Sequence, residues 1–121
     1  MLSRNQISDL SPLSALENLR ELILSENQIS DLSPLSSLTN LEWLWIHFNQ
    51  IADIAPLSSL HNLMWLIIYT NNIADLSPLS GLEGLQILEV ADNPIEDFSP
   101  AEHVRRVVGD PNRDPISGLR E

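Results

Sequence analysis

Apolar residues recur along this chain in the pattern LxxLxLxxNxI, and the pattern returns every 22 residues. Full copies stand at Leu19–Ile29 (LRELILSENQI), Leu41–Ile51 (LEWLWIHFNQI), Leu63–Ile73 (LMWLIIYTNNI) and Leu85–Ile95 (LQILEVADNPI). Within each copy Leu22 and Leu24, Leu44 and Ile46, Leu66 and Ile68, Leu88 and Val90 alternate with outward residues, which is strand periodicity. A fixed period this short marks a solenoid, whose units stack on their neighbours. Parallel strands about 4.8 Å apart, with alternate side chains inward, are the expected packing.

The polar positions are just as regular. Asn5, Asn27, Asn49, Asn71 and Asn93 recur at the turn after each strand. An amide there can bond the backbone of its own turn and of the next, satisfying groups a bare turn would bury unpaired. A return segment follows: SPLSALENL, SPLSSLTNL, APLSSLHNL and SPLSGLEGL. Ser11, Ser33, Ser77 and Ser99 precede Pro12, Pro34, Pro78 and Pro100, and Ser as N-cap with Pro behind it starts a helical turn. Ala55 in the third copy removes a cap worth roughly 1 kcal/mol. Each segment has room for one or two turns, helical or 3₁₀, with Leu13, Leu16 and their copies facing the core. Asp9, Asp31, Asp53, Asp75 and Asp97 form a further column, and each carboxylate is expected to accept backbone N–H groups of its own turn.

The ends depart from the repeat. Met1–Ile7 is the tail of one more copy, and counting back 22 from Leu24 reaches Leu2, so half a strand is missing. Solenoid ends expose core unless capped, so the chain is expected to be a fragment of a longer one, or to start inside a former array. Residues 1–98 read as about four and a half repeats. After Phe98, Ala101, Val104 and Val107 keep the apolar spacing, but Asp110 stands where Leu is required. Residues 99–109 are therefore expected to form a longer capping helix, with Arg105 and Arg106 in its last turns and Gly109 beyond. Residues 110–121, with two Pro, one Gly and five charges, read as a loosely ordered acidic tail.

The unit NQISDLSPLSSLTNL, repeated from residue 2 to about 104, resembles the bacterial internalin-type leucine-rich repeat. The resemblance implies an α/β fold: a curved right-handed solenoid with a parallel β-sheet on the concave side and short helical or 3₁₀ turns on the convex side. It also implies protein ligands bound on the concave strand face. Members of that family carry an N-terminal helical cap and a C-terminal immunoglobulin-like domain, neither of which is written in these residues. For a piece of such a protein, the resemblance leans to the cell surface or a secreted setting.

Composition narrows the partners. Seventeen acidic residues against six basic ones, all Arg, give a formal charge of −11. Such a surface repels nucleic acid and anionic membrane. Without cysteine there is neither disulfide nor thiolate metal site. No basic stretch with an apolar run opens the chain, and no run of ~18 apolar residues exists, so membrane insertion is not expected.

Within LxxLxLxxN the third, fifth and seventh positions face out of the sheet. The third column is Glu21, Trp43, Trp65, Ile87; the fifth Ile23, Trp45, Ile67, Glu89; the seventh Ser25, His47, Tyr69, Ala91. A strand face toward water should be polar, yet all three Trp and the one Tyr gather on two neighbouring strands. Trp43, Trp45, His47, Trp65, Ile67 and Tyr69, flanked by Ile23 and Ile87, are the candidate contact residues for a protein ligand. Glu21, Glu42 and Glu89 rim them and favour a partner with some basic character. Two other occupants fit the same face: a carbohydrate stacked on the rings, or a second copy or missing domain.

No catalytic constellation or cofactor motif accompanies the patch. His47, His61 and His103 fall on different faces of the repeat, the Ser residues lack paired His and Asp, and SGLEGL lacks the Lys of a phosphate loop. The tail DPNRDPISGLRE places Asp, Asn, Asp and Glu as a calcium loop does, but Pro115 stands where Gly must turn, and the match reads as coincidence.

Overall fold

The computed structural model describes residues 3–111; the readings made on Met1, Leu2 and residues 112–121, the tail and its calcium-loop match among them, lie outside the described residues. The alternating columns form five short strands, β1 (Glu21–Ile23), β2 (Trp43–Trp45), β3 (Trp65–Ile67), β4 (Ile87–Glu89) and β5 (Arg106–Val108). They lie in one parallel sheet in chain order. Glu21 stands opposite Trp43, Trp43 opposite Trp65 and Trp65 opposite Ile87, so each step along the sheet is one 22-residue unit. Each return segment carries a 3₁₀ turn: η1 (Ser11–Leu13), η2 (Ser33–Leu35), η3 (Ala55–Ser59), η4 (Ser77–Leu79) and η5 (Ser99–Ala101). The result is a solenoid with the sheet on its concave side, as expected.

Its core is a stack of columns. Leu44, Leu66 and Leu88 from the strands, Ile46 and Ile68 from the strand ends, and Leu35, Leu57 and Leu79 from the turns are all fully buried. Each such side chain contributes roughly 1.5–3 kcal/mol of burial. Leu16, the first of its column among these residues, is largely exposed.

The asparagine column joins the units. Asn49 Oδ1 accepts the N–H of Ile29 at 3.0 Å. Its Nδ2 donates to Leu24 O and Ile46 O, both at 3.0 Å, so one side chain serves two successive turns. Asn71 and Asn93 repeat this, taking the N–H of Ile51 and Ile73. The residue before each Asn is left-handed: Arg4, Glu26, Phe48, Thr70 and Asp92 have φ of 55–58°. A non-glycine residue there costs of order 1–3 kcal/mol, and the ladder holds it in place. Asn49→Ala should therefore cost about 3 kcal/mol or more, since it orphans a buried N–H and buried carbonyls at ~1–3 kcal/mol each. A urea melt with a midpoint close to that of the unchanged chain would refute the ladder's role.

Two expectations about the turns need correction. Serine is not the N-cap: Leu10, Leu32, Ile54, Leu76 and Phe98 occupy that position, and no side chain caps from it. The aspartates two residues earlier in the chain than the Ser positions do the work. Asp9 Oδ1 accepts the N–H of Ser11 at 2.9 Å, and Asp31, Asp75 and Asp97 do likewise for Ser33, Ser77 and Ser99. Asp53 takes the N–H of Ala55 in the same way, so the third copy loses no backbone cap.

The second correction concerns residues 99–109, which form no long helix. After η5 the chain makes a single further turn, Val104 N–H to Ala101 O at 3.0 Å, where earlier units make two. Arg106 then stands opposite Ile87, an offset of 19 residues, and the apolar Val104, Val107 pair enters the core columns. Losing three residues from the return brings β-branched Val107 and Val108 into strand register, which favours pairing over helix. Gly109, at φ +109°, follows; a Cβ there would collide with the backbone of Ala91.

The aspartate caps make stability pH-dependent. The Ser11 N–H, and then its hydroxyl, hold the Asp9 carboxyl below its usual range, and Asp31, Asp75 and Asp97 are lowered by the same pair of groups. A depressed folded pKa means stabilisation that is complete above the unfolded value of about 3.9 and lost as pH falls through the folded values. The thermal midpoint should fall on acidification below about pH 4, and less steeply when all four are Asn. Identical acid profiles for the two proteins would remove the caps from the account.

Candidate functional site

The fixed register lines up the outward columns across the sheet. Trp43 of β2 and Trp65 of β3 are strand partners, with ring centroids 5.7 Å apart at 66°. Trp45 meets Trp65 edge-on at 5.2 Å and 64°. Parallel pairing thus converts i, i+2 spacing into one indole cluster, in the edge-to-face geometry that ring quadrupoles favour. Trp43 stands proudest, 36% exposed, while Trp45 and Trp65 are half-buried. The indole N–H groups of Trp45 and Trp65 are buried without a hydrogen-bond partner.

A second cluster lies at the strand ends. His47 stacks on Tyr69, centroids 4.5 Å apart and planes 22° from parallel. Burial holds the His47 pKa below its usual value, against the opposing pull of Glu26 and Glu89. The ring is therefore neutral at pH 7.

Of the residues expected here, Trp43, Trp45, His47, Trp65 and Tyr69 do come together, with Ile23 and Ile87 half-buried at the flanks. Glu21 is exposed at one end, and Glu89 half-buried on β4. Ile67 is the exception. It is only 6% exposed, so it forms the floor of the patch and offers no surface of its own. It occupies the same column as Trp45, but the larger rings around it take the solvent face.

Two contributors escaped the sequence reading. Phe48, in the left-handed column, is 47% exposed and meets Tyr69 at 5.5 Å and 79°. Its signal was available: a large aromatic among Arg4, Glu26, Thr70 and Asp92. Arg106 joins the third column beside Ile87 because β5 exists. Only the three-residue offset reveals it.

Among the described residues no three metal-ligating side chains gather in one place. The arrangement offers apolar rings, a few buried donors and carboxylates, which is equipment for binding. Replacing Trp43 with Phe should remove most of the acrylamide-quenchable tryptophan emission, whereas Trp45→Phe or Trp65→Phe should leave most of it. Equal losses from all three would contradict the exposure order.

The comparisons with known proteins agree with this architecture. The family model for leucine rich repeats matches residues 1–37 as two copies. The crystal structure of internalin C2 from Listeria monocytogenes is 42% identical, covering 85% of this chain and 47% of its own, with a TM-score of 0.83. Internalin InlF of the same species is 37% identical over 88% of this chain and 32% of its own, TM-score 0.85. A leucine-rich repeat protein of Leptospira interrogans is 28% identical over 86% of this chain and 29% of its own, TM-score 0.77. The chain spans less than half the length of each. No curated protein matches the sequence. Among the described residues no helix is long and apolar enough to cross a membrane. With its 22-residue units, asparagine ladder and parallel concave sheet, the chain is an internalin-like leucine-rich repeat protein.

Proposed function

We propose that this chain is a non-catalytic interaction module that holds a protein ligand against the concave aromatic patch. The observation that carries the reading is Trp43, presented to solvent on top of Trp65 in a column where a free strand face should be polar. Trp and Tyr on a rigid sheet bury large area at little entropic cost, which is why they dominate binding energetics. Internalin-type repeat proteins are generally protein-interaction modules, and the same role here is consistent with that likeness. A secreted or cell-surface setting accords with the matched internalins. The rim carboxylates Glu21, Glu42 and Glu89 favour a partner with basic character.

For a protein selected by its binding to the purified chain, Trp45→Ala or Trp65→Ala should weaken affinity by about 2 kcal/mol or more. Unchanged affinity in both variants would sink the proposal. Glycan-array binding lost in the same variants would transfer the site to carbohydrate. A concentration-dependent dimer by light scattering, abolished by them, would make it a self-association face.

A further inference from the structure

The third outward column runs across all five strands. Its members are Glu21, Trp43, Trp65, Ile87 and Arg106, each opposite the next on the neighbouring strand. An acid therefore stands at one end of the row, a base at the other, and three apolar side chains between them. Glu21 and Trp43 are exposed, and Trp65, Ile87 and Arg106 are half-buried, so every member reaches the concave surface.

Arg106 is the odd member. No other Arg stands in the outward columns, and the chain as a whole carries a charge of −11. Yet no carboxylate pairs with Arg106 among the described residues, and its Nε–H is buried without a hydrogen-bond partner. Glu89 of the adjacent strand stands opposite Val108 instead. Buried polar groups are nearly always bonded, and a charged donor left unpaired out of water is costly. A carboxylate brought by a ligand supplies the missing partner, since guanidinium and carboxylate match as a two-pronged pair.

The spacing of the row selects the form of that ligand. Strand neighbours lie about 4.8 Å apart, so two steps of the column cover about 9.6 Å. An α-helix laid across the strands returns the same face every seven residues, a rise of about 10.5 Å, and sets one side chain over each strand. An extended segment repeats its face only about every 6.7 Å and falls out of step with the strands.

We infer that this column is a track for one amphipathic helix of the protein ligand, with its apolar stripe on Trp43, Trp65 and Ile87, an acidic side chain at Arg106 and a basic one at Glu21. This rests on the reading of the concave face as a ligand site, and adds the polarity and pitch that the ligand must have. A partner basic along its whole length would set a cation against Arg106.

The probe is a tryptophan-free, alanine-based helical peptide of about four turns. It carries Leu at the three middle stripe positions, with Lys at one end of the stripe and Glu at the other. All three tryptophans of the chain lie in the indole cluster, so their emission reads binding. Changing the peptide's Glu to Gln should raise Kd at least fivefold against the unchanged chain and hardly at all against Arg106→Gln. Changing its Lys to Gln should behave in the same way with Glu21→Gln. Each pair of changes isolates one contact, and Arg106→Gln removes no side-chain hydrogen bond among the described residues, so the variant keeps its fold. A central proline, which breaks the helix, should abolish binding. The inference is overturned by unchanged emission with the starting peptide, by charge effects that persist in Arg106→Gln and Glu21→Gln, or by equal affinity of the proline peptide. Those failures leave the indole centre standing, because it is read separately from Trp45→Ala and Trp65→Ala against a selected protein.

Discussion

Everything in this solenoid depends on satisfying the backbone of turns that lie inside the stack. A solenoid unit folds its chain back through the core, where an unpaired N–H or C=O costs about as much as a lost hydrogen bond. The side chains of Asn27, Asn49, Asn71 and Asn93 discharge that cost by reaching backward one unit each. With the turns held, the strands fall into strict register and the leucine columns coincide. The left-handed residue before each Asn is the strain that this geometry imposes. On the other side of the unit, the aspartate column does the parallel task for the 3₁₀ turns.

The same register makes the aromatic face. A sheet whose neighbours are offset by whole units stacks equivalent positions directly, so a Trp at the third position of two successive repeats becomes a ring pair. No long-range folding accident is involved. The concave chemistry can thus be edited one column at a time while the core columns stay untouched. This is how a patch of three indoles coexists with a stack of leucines only a residue away.

Much of this was legible in the chain. Period, strand positions, the asparagine column, the carboxylates bonded to their own turns and the gathering of Trp43, Trp45, Trp65 and Tyr69 all follow from a repeat that is nearly invariant. What escaped has physical reasons. Ser before Pro mimics a helix cap, and only geometry shows that a 3₁₀ turn begins one residue earlier and takes its cap from Asp9 or Asp31. Ile67 looks solvent-facing by column, but column says nothing of what larger neighbours cover. Residues 99–109 keep helix-like apolar spacing at three-residue steps, and a shortened return converts that spacing into a turn and a strand. Phe48 sits outside the three strand columns, so a search by strand alternation passes over it.

The short last unit shows where such an array tolerates a change of length. Every other step is 22 residues, yet β4 and β5 pair at 19 with the sheet, the core columns and the η5 turn intact. The three residues are absent from the return arm between η5 and β5, where His103 Nε2 still meets Leu82 O of the preceding unit at 2.9 Å. Removed from the strand or the asparagine turn, they would have broken bonds to a neighbour. The array can therefore grow or shrink by duplication of whole units, or by trimming single turns on its convex side. The concave columns keep their sheet register across the shortened step.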